Sequence, residues 1–214
     1  MKLTDWLQLF RQHPEKPLFQ VADLAQLTGL DPGGLATELT RLVAKGVLGR
    51  PVRGWYANPF RTPSDEEIAM VLRTPSYLSL EYALSAASVL SQWSFRLTLV
   101  TTGAPYLFTP EKPRFEYHHL NRKLFFGYQV RDGVAWAEPE KALLDLIYLR
   151  HLKTGNLDEN RIRSLLGDMY LEELRPDLLR EYTGAFGRYS GRLLALLGEF
   201  HPGLPPMERA RELR

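Results

Sequence analysis

Three groups of residues in this chain have the types needed for chemistry. The first is acidic: Glu138, Glu140 and Asp145 surround Lys141. Carboxylates with a lysine can hold a divalent metal and polarise a phosphodiester. The spacing argues against that use, because Glu140 and Lys141 are adjacent and the usual acid-x-Lys arrangement is missing. Glu138 and Glu140 instead fall at a helix start, where negative charge offsets the dipole. Lys141 and Asp145 then form an ordinary i,i+4 pair. The second group is His118-His119. Neighbours on a strand point to opposite faces, so the two cannot jointly chelate one ion. The third group is basic and small: Gly34, Thr37, Thr40, Arg41, Lys45, Arg50 and Arg53. Cations contact phosphates and short polar side chains reach base edges, so this set points to DNA. No catalytic residue, metal site or cofactor is expected.

The elements that must position the third group read as a winged helix-turn-helix over residues 1–58. Val21–Leu27 is a first short helix, and Thr28-Gly29-Leu30 is its tight corner. Asp31 is the N-cap of a second helix with Pro32 at its first position. Leu35, Leu39 and Leu42 form its buried stripe, with Val43 beside them. Gly34, Thr37, Glu38, Arg41 and Lys45 lie on the opposite face, and Gly46 is a left-handed C-cap. Small residues at the helix start would let its N–H groups approach a phosphate. A turn containing Arg50, Pro51, Arg53 and Gly54 leads to the return strand Trp55-Tyr56. A preceding helix, Thr4–Gln12, places Leu3, Leu7 and Phe10 on one face with Trp6 beside them, and Leu18-Phe19 supplies a small strand that can pair with the wing.

The totals are ordinary for a soluble globular protein. The 214 residues carry a net charge of only +2, so any DNA-facing charge must be local. The absence of cysteine excludes disulfides, thiolate zinc sites and thiol nucleophiles. No apolar run approaches a membrane span. The start meets Asp5 and Trp6 where a signal peptide would have its apolar core, which implies a cytoplasmic protein.

Beyond Asn58–Pro63, which reads as a boundary, the pattern changes to a mixed α/β domain over residues 64–200. Ser64 and Glu67 form a capping box for a helix through Leu72. A helix is expected from about Leu80 to Leu90. Strands follow at Phe95–Val100, Phe115–His119, Leu124–Val130 and Val134–Trp136, the last two joined at Asp132-Gly133. Helices then run from Glu138 to about Leu152, Asp158 to Leu166, Pro176 to Tyr182 and Gly191 to Leu197. Residues 201–214 read as a loose tail. The fold class is α+β: the winged helix, then an antiparallel-rich sheet with a helical end.

Several runs carry a family likeness. Pro75–Leu84 (PSYLSLEYAL), Lys123–Tyr128 (KLFFGY) and Ala137–Tyr148 (AEPEKALLDLIY) resemble the C-terminal domain of AbiEi-type antitoxins. Arg53–Ala57 (RGWYA) is similar to the end of that family's wing. Together they span about residues 20 to 150, in the family's order. The resemblance implies an antitoxin-repressor of a phage-defence, type IV toxin–antitoxin system. Its winged helix would bind inverted repeats in its own promoter, as a monomer or dimer on double-stranded DNA. Its second domain would counter an AbiEii-like nucleotidyltransferase toxin without needing a stable complex. Two alternatives stand beside it: a protein-interaction module that sequesters a partner enzyme, and a stand-alone winged-helix regulator. Thr37, Arg41 and Thr40 would read or flank bases and Lys45, Arg50 and Arg53 would contact phosphate. Four such cations would give a log–log salt slope of roughly −3 to −4 per bound chain.

Overall fold

A computed structural model describes residues 1–92, 95–109, 113–153, 155 and 158–204. They divide into two units, Met1–Leu72 and Arg73–Arg214.

The first unit runs α1 (Leu3–Arg11), β1 (Leu18–Gln20), α2 (Val21–Thr28), α3 (Pro32–Ala44), β2 (Gly49–Val52), β3 (Trp55–Ala57) and α4 (Asp65–Leu72). Its antiparallel sheet has the order β1-β3-β2. Trp6, Phe10, Phe19, Leu24, Leu35, Leu39 and Leu42 make the core, with Leu48 and Tyr56 closing it from the hairpin. The buried stripe of α1 is Trp6-Leu9-Phe10, not Leu3-Leu7-Phe10, and Leu3 is exposed. The indole is the largest apolar group on the helix, and burying it rotates the helix accordingly.

Gly29 adopts φ +64° to turn α2 into α3, a conformation open to glycine without Cβ strain. α3 begins as its sequence implies, with Asp31 as N-cap and Pro32 in the first turn. It ends in a Schellman motif: Val47 N–H donates to Leu42 O and Gly46 N–H to Val43 O, with Gly46 at φ +68°. The hairpin turn is only Arg53-Gly54, so Arg50 and Pro51 belong to β2. Asn58 is buried, and its amide donates to the carbonyls of Phe10, His13 and Lys16. The first unit runs on past the expected boundary at 58–63 to Leu72. α4 groups with the first unit, opened by the expected Ser64–Glu67 capping box.

The second unit carries a six-stranded sheet and five helices among the described residues. They are β4 (Ser76–Leu78), α5 (Leu80–Ala86), β5 (Arg96–Thr101), β6 (Tyr106–Phe108), β7 (Arg114–His119), β8 (Tyr128–Arg131), β9 (Val134–Ala137), α6 (Pro139–Ile147), α7 (Glu159–Gly167), α8 (Pro176–Thr183) and α9 (Ser190–Gly198). The strand order is β6-β7-β5-β4-β9-β8. β4/β5, β6/β7 and β8/β9 pair antiparallel, while β5/β7 and β4/β9 are parallel. The class is thus α+β, with antiparallel pairs in the majority.

Four boundaries differ from expectation. The helix expected to run to about Leu152 is α-helical only to Ile147 and continues as a π turn over Tyr148–Leu152. The other three differ for local reasons. α5 stops at Ala86 because Ser88 turns left-handed, at φ +60°. Ser88 N–H then donates to Ser85 O and Val89 N–H to Leu84 O, a second Schellman motif. β8 starts at Tyr128 because a 3₁₀ turn occupies Arg122–Leu124 and Gly127 sits at φ +68°. A Cβ at Gly127 would lie 3.0 Å from Lys141 Cγ, so the glycine also admits α6. The end of the chain is not loose from residue 201: His201 and Leu204 are buried. His201 Nδ1 accepts from Gly203 N–H, so Nε2 carries the proton donated to Leu174 O. The remainder of the expected tail, 205–214, lies outside the described residues.

Candidate nucleic-acid interface

The start of α3 is committed to its own cap. The Asp31 carboxylate accepts from Gly33 N–H and Gly34 N–H at 3.0 Å each. Those donors are therefore not free for a phosphate. Gly34 is explained by this cap, since a Cβ there would lie 2.9 Å from Asp31 Oδ2. Thr37 and Thr40 are exposed, and each hydroxyl donates one turn back, to Gly33 O and Ala36 O. Their methyls and lone pairs remain available to a partner.

Glu38 does not lie beside them as an outward charge. It accepts from Trp6 Nε1 at 3.0 Å and from Arg41 at 2.9 Å, with the N-terminal amine 3.8 Å away. The Arg41 and Trp6 hydrogen bonds hold its carboxyl down to about 2. Arg41 is thus half of a surface pair that fastens α1 to α3, rather than a free cation. With Glu38 drawn aside, the exposed stripe of α3 is Gly33, Ala36, Thr37, Thr40 and Ala44, ending at Lys45. These positions follow i, i+3, i+4 spacing and hold small side chains without a negative charge.

Lys45, Arg50 and Arg53 are exposed and form no ion pair among the described residues. Arg50 leans over the Tyr56 ring at 5.8 Å, and Arg53 occupies the hairpin turn beside Gly54 (φ +83°). Lys16, by contrast, is bound to Asp23 at 2.9 Å. The structure therefore keeps Thr37, Thr40, Lys45, Arg50 and Arg53 available and withdraws Gly34 and Arg41. Ala36 and Ala44, not singled out in the sequence, are exposed in the same helical register as Thr37 and Thr40.

The acidic group of the second unit is packed away from solvent. Lys141 and Asp145 are fully buried and ion-paired. Lys141 Nζ also donates to Tyr77 Oη at 3.0 Å, and Asp145 Oδ2 accepts from Tyr77 and Ser79. Burial pushes the lysine pKa down and the aspartate pKa up, and the pairing of the two opposes both shifts. Glu138 accepts from Gln129, Arg175 and Tyr182, and Glu140 accepts from Arg175. These contacts tie the start of α6 to both ends of α8 and to β8. His119 Nδ1 lies 2.9 Å from Gly103 O, while burial lowers the pKa of His118. Among the described residues, no group of three or more His, Asp or Glu side chains could hold a metal ion. No described helix is long and apolar enough to cross a membrane.

The aromatics pack mainly on one another: Tyr77 against Phe125 and Tyr128, Phe126 against Tyr182, and Trp136 against Tyr82. A cleft of about 830 Å³, lined by Glu81, Arg96, Glu116, Arg150 and Tyr170 among others, was not foreseen in the sequence. Its salt bridges, Glu81–Arg150 and Arg96–Glu116, leave little unbalanced charge.

The sequence matches no model of a known protein family, and no protein of curated function matches it either.

Proposed function

We propose that this chain is a sequence-specific DNA-binding transcriptional repressor acting through a winged helix-turn-helix in its first unit. α3 is the recognition helix and the β2–β3 hairpin is the wing. The observation that carries the reading is the sidestep of Glu38 onto Trp6 and Arg41, which clears negative charge from the exposed stripe of α3. A helix face of glycine, alanine and threonine can sit deep in a major groove. Its methyls from Ala36, Thr37, Thr40 and Ala44 suit thymine methyl groups. Lys45, Arg50 and Arg53, which follow that face in the sequence, supply phosphate contacts.

The second unit is read as an AbiEi-type antitoxin domain that counters a nucleotidyltransferase-like toxin, and the upstream DNA of the chain's own gene as the operator. That part rests on the likeness of residues 75–84, 123–128 and 137–148 to the family.

The test is a gel-shift titration against the gene's own upstream duplex and a scrambled duplex at two salt concentrations. Specific retention at the higher salt is expected. Equal, salt-sensitive retention of both duplexes would reduce the first unit to a general DNA anchor. No retention at all would transfer the function to protein–protein contact.

A further inference from the structure

The edge strand β8 of the second unit is unprotected. All four of its residues are exposed, Val130 to 66%. Glu138 N–H donates to Gly127 O, so this pair is hydrogen-bonded across the two strands. Antiparallel pairs alternate between bonded and non-bonded, and the register pairs Tyr128 with Ala137, Gln129 with Trp136 and Val130 with Ala135. Tyr128 and Val130 therefore aim their N–H and C=O groups away from β9. Among the described residues no other strand takes them up.

Open edges in proteins are usually blunted by proline, charge or brevity. β2, at an edge of the first unit's sheet, carries Pro51 and a register shift. β6, at the other edge of the second unit's sheet, has three residues and follows Pro105. β8 is one residue longer than β6, carries its only charge at its end, on Arg131, and has neither a proline nor an internal bulge.

We propose that β8 pairs antiparallel with β8 of a second copy of this chain, about a two-fold axis at Gln129. In this register the residues that hydrogen-bond across the axis, Tyr128 and Val130, are both extended. A slip in one direction recruits Asp132, at φ +50°, and a slip in the other recruits Gly127, at φ +68°. Centred on Gln129, Tyr128 of each copy meets Val130 of the other. The two residues exchange both backbone hydrogen bonds, which makes four across the axis. Each contact is also an aromatic–β-branched cross-strand pair, a favoured combination. Arg131 falls opposite Gly127, so no like charges meet. The interface is self-complementary, as a two-fold dimer requires.

Sedimentation of the full chain from about 1 to 100 μM tests this without DNA, so its outcome is independent of the DNA-binding reading. A dimer of twice 24.6 kDa is expected to form within that range. Val130→Pro removes an outward N–H while sparing the β9 ladder, and Val130→Lys places like charge at the seam. Either variant is expected to raise the midpoint concentration for dimerisation at least tenfold with an unchanged circular dichroism spectrum. If one variant fails to fold, the other decides. A wild-type chain that stays monomeric at 100 μM overturns the proposal, and so does a dimer indifferent to folded Val130 variants.

Discussion

Two helical acid–base pairs in this chain have nearly the same sequence spacing and do opposite things in the structure. Glu38–Arg41 on α3 is a half-exposed i,i+3 pair, and Lys141–Asp145 on α6 is a fully buried i,i+4 pair. The first turns two charges sideways and leaves a smooth, small-residue stripe beside them. The second holds β4 to α6 through the Tyr77 hydroxyl and Ser79. Spacing creates a pair, but the strands packed above it decide whether water reaches it. The ends of two helices make the same point. α3 and α5 both close in Schellman motifs, one with Gly46 in the left-handed position and the other with Ser88.

The contrast is broken most strongly at Asp145. Asp145→Asn leaves Lys141 buried without a counter-charge and is expected to cost about 3–5 kcal/mol in urea unfolding. Replacing both residues, Lys141→Met with Asp145→Leu, should recover most of that loss, because apolar side chains need no partner there. A cost for Asp145→Asn below about 1 kcal/mol would mean that the pair is not buried as described.

Next is Ser88→Gly. An L-residue in the left-handed region costs about 1–2 kcal/mol, and the greater freedom of glycine in the unfolded chain returns part of it. The net gain expected is about 0.5–1 kcal/mol of thermal stability, and a loss would contradict the cap geometry.

The smallest effect is at Glu38, and it is visible as a pH dependence. Its pKa is depressed from 4.5 to about 2, so its stabilising contribution is complete above pH 4.5. That contribution disappears as the pH falls through about 2. Glu38→Gln should flatten this part of the acid-unfolding curve. An identical curve for the variant would dissociate Glu38 from Trp6 and Arg41.

Much of the first unit was legible because its signals are local. Gly29, the Asp31-Pro32 start and Gly46 each dictate backbone conformation by their own chemistry. The Leu35-Leu39-Leu42 stripe follows from helical period alone. The direction of Glu38 was not legible, since it depends on Trp6, 32 residues away in sequence. The occupation of the Gly33 and Gly34 N–H groups was implicit in the Asp31 cap, and it removes the phosphate role those glycines suggested. In the second unit, β8 and β9 followed from the Asp132-Gly133 turn. The parallel pairing of β4 with β9 and β5 with β7 carries no local mark, because it joins segments distant in sequence. The three-residue strand β6 is too short to show a period.

A DNA-reading surface made of α3 and the hairpin, with Arg41 tied to Glu38, has a distinct salt signature. The most direct test is the salt dependence of fluorescence anisotropy on the gene's own upstream duplex, comparing wild type, Arg41→Ala and the double variant Arg50→Ala with Arg53→Ala. Three phosphate contacts, from Lys45, Arg50 and Arg53, predict a log–log slope of about −2.7. Arg41→Ala should leave that slope unchanged, and the double variant should reduce it to about −0.9. A double variant that keeps the wild-type slope, or an Arg41→Ala slope that drops by a full contact, would contradict the assignment.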